Sequence, residues 1–430
     1  MDPRSPPGAS AGVLLRPRGA AAALVVDGRA APVALGPAGA SGPRSVLAAA
    51  GAAARAQGVL LDVVTVDVSA VLLDAVLHGD AAAYPTAAVR IVPRPASDPA
   101  LGRSPAAAVE RLVAQRFTVS GGHDLLGHEL CPLDRDQLAR LCETLRRGEA
   151  RHLAIVAAGS QAQPEHERAV ADAVQAVLPG CDITAGSEFG GQGLAAREAT
   201  AVLNSWLRPL ARSVVDELEQ AVADVLPGTA LRVARGDGGH LLPARAAELP
   251  AAALGATDAM ELRGAAHLAG RDDVRLVLRR RSGAVSGHVR RGLVVVRSAQ
   301  LPDIGVELVV PTAALAHHPG AADRTEGELA PREDPDLTVC VGAATSRPTS
   351  WLDEVAVIGS AAELDRVRSE VERRATAIAT ANGARPGTAH VVDLSVVAVP
   401  YSPSGTVRIR VRVAGEPDTG ARPEPARSTR

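Results

Sequence analysis

Four charged residues cluster around a glycine-rich stretch in the middle of the chain. Glu188, Arg197 and Glu198 flank or adjoin Gly186–Gly193, and Asp237 follows a short apolar run further along. Buried charges in a cleft are candidates either for catalysis and binding or for a structural ion network. The residues leave both alternatives open: Arg197 with Glu188 could contact a substrate carboxylate, or the charges could join a sheet to a helix.

The elements around this stretch predict an α/β unit. Residues 152–158 are an apolar run typical of a buried strand, and a helix with apolar residues at helical spacing begins near Pro164. A second short strand spans 182–184, and the glycine-rich turn leads into an amphipathic helix that reaches about Val225. Sheets of this kind bind ligands at the carboxyl ends of their strands. The glycine-rich turn is therefore the first place to look for a site.

The composition excludes several classes of chemistry. The chain of 430 residues contains no lysine, so all 46 basic side chains are arginine. Walker-type NTPases and enzymes that depend on a Schiff-base or general-base lysine are excluded. The net charge of −2 gives no indication of a nucleic-acid partner or an anionic membrane surface.

The cysteines and the hydropathy predict a cytoplasmic protein. Cys131, Cys142, Cys181 and Cys340 form no CxxC pair and are typical of small core residues in a reducing compartment. No apolar segment reaches the length of a membrane span, and the first ten residues lack the pattern of a signal peptide.

Two histidine-containing stretches are candidates for a metal or catalytic site. Residues 121–129 contain His123, His128 and two carboxylates, but their spacing favours a polar β-turn over a metal site. His166 and Glu167 lie in the first turn of a helix, where the acidic side chain is expected to interact with the helix dipole. No metal site is predicted.

Along the rest of the chain, periodicity predicts an amino-terminal hairpin followed by alternating helices and strands. Residues 89–92 are predicted to be an edge strand, residues 117–132 a polar turn, and residues 311–340 show no clear periodicity. Residues 1–10 and 416–430 are rich in proline, arginine and glycine and are predicted to be disordered tails.

Motifs spread over most of residues 12–415 resemble the hydantoinase A/5-oxoprolinase family. They lie in a similar order and spacing, although each is short. The motifs are Gly121–Asp124 with Glu129 and Pro132–Asp134, Pro164–Glu167, Glu188–Leu194, Arg197 with Glu198 and Asn204, Asp237–Gly238, Leu262–Ala266 with Gly270 and Asp272–Asp273, Gly342–Ala344, and Val391–Pro403 with Arg408–Val411.

The resemblance implies an α/β fold of the actin-like ATPase (ribonuclease H-like) type, with duplicated domains and a truncated second half. Members use ATP and Mg²⁺ to open cyclic amides such as hydantoins or 5-oxoproline, usually with a companion subunit. The implied division is an amino-terminal domain, a truncated hydantoinase A-like domain, and a carboxyl-terminal helix with strands. Their limits are residues 11–226, 227–345 and 346–415.

In the family, two loops with the pattern Asp-x-Gly-Gly-Thr-x-Thr-Asp bind phosphate and the divalent cation. Residues 15–22 stand at the first loop, where Leu15 and Ala22 replace the aspartates, Pro17 replaces a glycine, and Gly19 lies between them. Neither threonine is present. Mg²⁺ therefore has no carboxylate ligand at this loop.

The second loop corresponds to residues 278–285. Leu278 stands in place of the first aspartate, and Ser282 and Gly283 follow a run of arginines at 279–281. That run could bind phosphate oxygens directly, but a solvated basic turn is the alternative that the pattern favours. A third glycine-rich loop of the family is replaced by residues 305–310. No cofactor is expected.

The resemblance leads to two hypotheses about function. In the first, the chain is a nucleotide-site-degenerate relative that acts as a regulatory or scaffold partner of a hydantoinase B-like companion subunit, an intact paralogue or a second copy of itself. In the second, it opens a small cyclic amide without ATP and uses Glu188, Arg197, Glu198 and Asp237.

Overall fold

The computed structural model describes residues 8–36, 42–95, 106–280, 283–301, 304–319, 328–329, 334–400 and 402–418. The strands are β1 (Gly8–Arg16), β2 (Gly19–Val26), β3 (Arg29–Gly36), β4 (Leu60–Asp67), β5 (Thr86–Val92), β6 (Val113–Ser120), β7 (Gly122–His123), β8 (Glu129–Cys131), β9 (His152–Ala157), β10 (Asp182–Ala185), β11 (Ala230–Ala234), β12 (Gly239–Leu241), β13 (Val274–Arg280), β14 (Gly283–Arg290), β15 (Leu293–Val294), β16 (Val296–Leu301), β17 (Val306–Ala313), β18 (Ala316–Pro319), β19 (Glu328–Leu329), β20 (Arg347–Val357), β21 (His390–Ala398) and β22 (Thr406–Ala414).

The helices alternate with these strands along the chain. They are α1 (Pro43–Ala56), α2 (Ser69–His78), α3 (Ala107–Glu110), α4 (Arg135–Arg147), α5 (Glu165–Val177), α6 (Leu194–Val225), α7 (Pro243–Glu248), α8 (Ala256–Leu268), α9 (Pro335–Ala344) and α10 (Ala361–Ala381).

A nine-stranded sheet runs through the molecule in the order β21-β22-β20-β12-β11-β4-β1-β2-β3. Strands β1, β4 and β11 are parallel neighbours at its centre, and β1 also pairs with β2 in an antiparallel hairpin. The sheet takes strands from all three predicted domains. The predicted limits near residues 226 and 345 therefore do not separate independent sheets, and the domain division itself stays a prediction.

Alternating side chains of the central strands bury the two faces of this sheet. Val13 and Leu15 point to the face covered by α1 and α6, whereas Leu14 packs with α8 and α9 on the other face. The period of two in a strand produces this division. Helix α6 is 32 residues long and buries Trp206 and Leu207 against the sheet.

Helices α8 and α9 cross with almost no space between their backbones. A Cβ atom on Gly264 would overlap the carbonyl oxygen of Thr338, and one on Gly342 would overlap the carbonyl oxygen of Met260. On the opposite side of α9, a Cβ on Gly12 of β1 would overlap the carbonyl oxygen of Cys340. Glycine is required at these positions because the helix is packed against backbone on both sides.

A second sheet is wholly parallel, in the order β10-β9-β5-β6. Its core contains Val89, Ile91, Leu153 and Ile155 and is closed by α4 and α5. Two smaller sheets follow α8. One has the order β15-β14-β13-β19 with β18 beside β14, and the other pairs β16 with β17.

Several predictions about elements were wrong, for identifiable reasons. β5 is a central strand rather than an edge, because residues 113–120 form β6 beside it instead of a turn. The polar side chain of Arg116 in β6 finds an ionic partner on α6, which local sequence does not reveal. Helix α9 forms within residues 311–340 and just beyond, where no periodicity was found. Residues 338–344 of this helix are all buried or nearly so. A helix that is buried on every side has no polar face, so its sequence shows no helical period.

The predicted tails are also corrected where they are described. Residues 8–10 belong to β1, because Ala9 and Ser10 pair with Val26 and Val25 of β2. At the other end, Pro417 forms a bridge with Ala384, and the amide of Asp418 donates to the carbonyl oxygen of Gly383 at 2.8 Å. Residues 1–7 and 419–430 lie outside the described part of the chain. Among the described residues, no helix combines the length and the apolar character that crossing a membrane would require.

Candidate functional site

The first predicted phosphate loop is the tight turn of the β1–β2 hairpin. Leu15 is 6% exposed and Ala22 is 1% exposed, and both belong to the core between the sheet and α6. Gly19 begins β2 opposite Arg16. The two positions that would need to project carboxylates towards a cation therefore carry apolar side chains that the core holds in place.

The positive charge of Arg16 at this turn is balanced by a carboxylate of the protein. Its guanidinium forms an ion pair with Asp336 in the first turn of α9. Helix α9 begins there because the Asp334 side chain accepts from the amides of Asp336 and Leu337, and Pro335 occupies the first turn. The residues of the first loop do not fit a magnesium–phosphate group.

One buried carboxylate lies beside this turn and escaped the sequence analysis. Asp67, at the carboxyl end of β4, pairs with Leu14 of β1 and is fully buried. Its two oxygens accept hydrogen bonds from the amide of Ser69 and the hydroxyl of Thr257, both at 2.8 Å. Burial raises the pKa of Asp67 to about 6; the charge of nearby Asp258 adds to the rise, and the two hydrogen bonds oppose it. The signal in the sequence that could have identified Asp67 is an acidic residue at the end of an apolar strand.

Asp67 makes stability depend on pH in a defined window. The native pKa of about 6 lies above the ordinary value of 3.8, so between these values the native state binds more protons than the unfolded state. Stability is then expected to fall as pH rises from about 4 to 6, by about 3 kcal/mol. In Asp67→Asn the amide oxygen can still accept from Ser69 and the amide nitrogen can donate to the Thr257 hydroxyl, and the change should remove this fall. Urea unfolding at a series of pH values measures it.

The control for this experiment is Asp74→Asn. Asp74 is exposed and contacts only His78 on the same helix at 3.0 Å, so its replacement should leave the pH dependence between 4 and 6 almost unchanged. If the Asp67→Asn and wild-type profiles stayed parallel across this window, the assignment of the raised pKa to Asp67 would be wrong.

The second predicted loop is only partly described. Leu278 is 1% exposed in β13 and packs in the core beneath α8, and Gly283 begins β14. Ser282 and Arg281 lie outside the described residues. As at the first loop, the position of the family's first aspartate is occupied by a buried leucine.

The central unit contains a buried network whose hub is Glu167. This carboxylate is 1% exposed and accepts from the amide of Ala157 at 2.8 Å and the amide of Ser187 at 2.9 Å. Arg197 lies 3.9 Å from it and donates to the carbonyl oxygen of Ala157 and to Ser160. The interpretation of Glu167 as a helix-dipole residue was incomplete, because the side chain ties β9 to the glycine-rich turn.

Glu198 forms a second, separate ion network. It is 4% exposed and pairs with both Arg90 of β5 and Arg116 of β6, while Arg116 also pairs with Glu110 at 2.6 Å. Of the alternatives left open by the sequence, Arg197 and Glu198 therefore make the contacts of a network that joins the parallel sheet to α6.

Glu188 is placed differently from these two. It is exposed, and its nearest hydrogen-bond donor is the amide of Ala185 at 3.4 Å. It lines a cleft of about 320 Å³ between the glycine-rich turn and the β20–α10 region, together with Arg235, Trp351 and Asp353. Of the four predicted residues, Glu188 is the one whose carboxylate faces an open cleft.

Asp237 holds the turn between β11 and β12. It is fully buried and accepts from the amide of Gly239 at 3.0 Å and the hydroxyl of Thr349 at 2.7 Å. Burial alone would raise the pKa of Asp237, but the charges of Arg235 and Arg412 and these hydrogen bonds outweigh it and lower the pKa. This carboxylate joins the start of β12 to Thr349 of β20, and none of its hydrogen bonds involves Glu188, Arg197 or Glu198.

The histidine-containing stretch forms the predicted polar turn. Asp124 accepts from the amides of Leu126 at 2.7 Å and His128 at 2.9 Å, which closes the turn between β7 and β8. His166 does not interact with the helix end; it accepts from the amide of Gly122 at 2.8 Å and its ring lies 4.4 Å from that of His123. Within the described ranges, no three histidine, cysteine or acidic side chains converge as a metal site.

Known proteins resemble this chain in part of its sequence and in its fold. Residues 88–178 match the hydantoinase/oxoprolinase N-terminal region, which corresponds to the parallel sheet with α4 and α5 and ends before the glycine-rich turn. No curated protein matches the sequence significantly. The turn and its flanking charges thus lie outside the matched region.

Two solved structures share the fold. A crystal structure of ATP-dependent caprolactamase from Pseudomonas jessenii superposes with a TM-score of 0.67 and 12% identity, over 98% of this chain and 89% of that one. A nucleotide-free structure of acetone carboxylase, from work on ATP-dependent acetone carboxylation, gives a TM-score of 0.55 and 16% identity. That alignment covers 74% of this chain, which spans about half (48%) of the acetone carboxylase chain.

At these identities the structural likeness establishes the fold and not the activity. The predicted fold class is confirmed, whereas the truncation of its second half stays a prediction. Residues 88–178 of the chain thus match the hydantoinase/oxoprolinase N-terminal region, and the chain as a whole has the mixed α/β fold that it shares with the caprolactamase and acetone carboxylase structures.

Proposed function

We propose that this protein is a non-catalytic relative of the ATP-dependent cyclic-amide hydrolases, which acts as a regulatory or scaffold subunit. The observation that carries the proposal is the burial of Leu15 and Ala22 in the core at the first phosphate loop. A carboxylate at either position would have to leave water for an apolar environment without a partner. The loop is therefore built as a packed hairpin and not as a cation-binding turn.

The charges around that hairpin support the same conclusion. Arg16 projects a guanidinium where the family binds an anionic phosphate with its cation, and Asp336 neutralises it. Asp67 is engaged by Ser69 and Thr257 through both oxygens, which leaves it fewer lone pairs for a cation. The proposed partners are a hydantoinase B-like companion subunit, an intact paralogue or a second copy of this chain.

The test is Mg-ATP binding and turnover by the purified full chain. Isothermal titration is expected to show no micromolar binding, and phosphate release is expected to stay at the level of a protein-free control. The physical reason is that Mg-ATP finds neither a carboxylate for the metal nor a glycine-rich backbone for the phosphates at residues 15–22. Micromolar binding together with turnover would falsify the proposal.

A second candidate function is favoured by one observation, the open cleft beside Glu188. Here the protein would open a small cyclic amide without nucleotide, with Glu188 as the acid–base group and Arg235 at the opposite wall. Arg197, Glu198 and Asp237 would support the surrounding backbone through their buried contacts.

Ring-opening assays on 5-oxoproline and hydantoin separate the two functions. Activity of the chain alone that is lost in Glu188→Ala, but kept in the matched control Glu143→Ala on the exposed face of α4, favours the enzyme. Activity that needs an added companion subunit and is unchanged by Glu188→Ala favours the scaffold. Glu143 is a suitable control because it is exposed and bonds only to Arg146 and Arg147 of its own helix.

A further inference from the structure

A cavity of about 370 Å³ lies between the β14–β15 turn and the carboxyl-terminal strands β21 and β22. Its charged lining consists of Arg290, Arg291 and Arg412, with Asp273 and Asp393. Its apolar lining comes from residues 293–296 and Val392. None of residues 15–22 contributes to it, so the cavity is separate from the degenerate first loop.

Arg412 carries a buried charge that is in direct ion-pair contact with no carboxylate of the described residues. It is 3% exposed, and its two terminal nitrogens donate to the backbone oxygens of Val294 and Asp237. Its Nε has no hydrogen-bond partner. Burial lowers the pKa of Arg412 and the charges of Asp237 and Asp393 oppose this, so an anion that approaches would stabilise the buried cation further.

Arg290 and Arg291 present two more guanidinium groups on a fixed turn. The turn is held because Asp273 accepts from the amide of Arg291 at 3.3 Å and Arg263 donates to the carbonyl oxygen of Gly292 at 2.6 Å. Both side chains are exposed, and no ion pair within the described part of the chain engages them. Arg290 and Arg291 therefore line the cavity with charges that no ion pair of the described residues neutralises.

The charges around the cavity determine the class of ligand. Three guanidinium groups and two carboxylates line the cavity, and the buried carboxylate of Asp237 also acts on Arg412. A monoanion can bind to the guanidinium groups with little repulsion, whereas a phosphate dianion would be repelled more strongly by Asp237, Asp273 and Asp393. The valines at 294, 296 and 392 add an apolar wall that a bare inorganic ion cannot use.

We propose that this cavity is a binding site for a small monocarboxylate with a short apolar chain. The carboxylate is bound by Arg290, Arg291 and Arg412, since a guanidinium can bind both oxygens at once. The apolar chain lies against Val294 and Val392. The site does not depend on the proposed function, because it uses neither the first loop nor the cleft beside Glu188.

Isothermal titration of the full chain with hexanoate, acetate and inorganic phosphate tests the proposal. Hexanoate is expected to bind saturably and more tightly than acetate, by the burial of its methylenes, and phosphate is expected to bind more weakly than hexanoate. Arg290→Ala or Arg291→Asn should each raise the Kd for hexanoate about tenfold, by the loss of a charged hydrogen bond. Asparagine is chosen because Arg291 has a φ of 51°.

Arg18→Ala is the matched control. Arg18 is an exposed arginine in the turn of another hairpin, β1–β2, and its loss should leave hexanoate binding unchanged. Unfolding midpoints without ligand establish that each variant is folded, and both lining arginines are exposed, so little change is expected. The proposal is overturned by an absence of saturable hexanoate binding, by phosphate binding as tightly as hexanoate, or by an equal loss of affinity in Arg18→Ala.

Discussion

Gly342→Ala is expected to destabilise the protein by about 3 kcal/mol. In an exposed helix the same change stabilises the helix. The added Cβ would overlap the carbonyl oxygen of Met260 and approach the amide of Gly264, both in the backbone of α8. Backbone cannot rotate away as a side chain does, so α9 would have to separate from α8 or from β1. Urea or guanidinium unfolding measures the loss.

Gly51→Ala is the matched control for this effect. Gly51 is also a buried helical glycine, but its Cβ would meet a methyl group of Leu226, at the flexible end of a side chain. A smaller destabilisation is therefore expected. The double variant Gly264→Ala, Gly342→Ala should cost less than the sum of its parts, because either change alone already separates the helices. A Gly342→Ala protein as stable as wild type would contradict the close crossing.

Glu198→Ala is expected to cost about 3–5 kcal/mol of stability, the second of the large effects. The substitution removes the carboxylate that Arg90 and Arg116 share between the parallel sheet and α6, and Arg116 keeps its second partner, Glu110. The loss arises mainly from the uncompensated charge of Arg90 and not from the absence of an attractive contact. Equilibrium unfolding by denaturant, followed by circular dichroism, gives the free energy.

An exposed carboxylate with two arginines provides the comparison. Glu143 pairs with Arg146 at 3.0 Å and Arg147 at 2.5 Å on the surface of α4, where solvent screens the charges. Glu143→Ala should cost much less than Glu198→Ala. Equal costs for the two variants would argue that the environment of Glu198 is as solvated as that of Glu143. The structural role of Glu198 would then be wrong.

The helices and strands with a clear pattern were predictable. The long helix that follows the glycine-rich turn was predicted to reach about Val225, and α6 ends there, because its apolar residues recur at helical spacing. Helix α9 escaped, because a helix buried between β1 and α8 has no polar face. Its start was nonetheless encoded in Asp334-Pro335, the combination of a capping side chain and a proline in the first turn.

For the candidate site, the sequence identified charged residues but not their partners. It named Arg197 and Glu198, which are adjacent on α6, yet their side chains enter two different networks, one centred on Glu167 and one on Arg90 and Arg116. It missed Asp67, whose significance depends on Ser69, Thr257 and Asp258 approaching one buried carboxylate. Contacts between residues of different elements leave no periodic signal in the sequence.

The sequence by itself determined that positions 15, 22 and 278 carry no aspartate, which no folding can change. Tertiary structure alone decided the surroundings of the residues that stand there. Packing turned Leu15 and Ala22 into core, brought Asp336 of a distant helix to Arg16, and separated exposed Glu188 from buried Glu198. Burial and long-range electrostatics arise only when distant segments meet, and these determine whether a charged side chain supports the fold or faces a ligand.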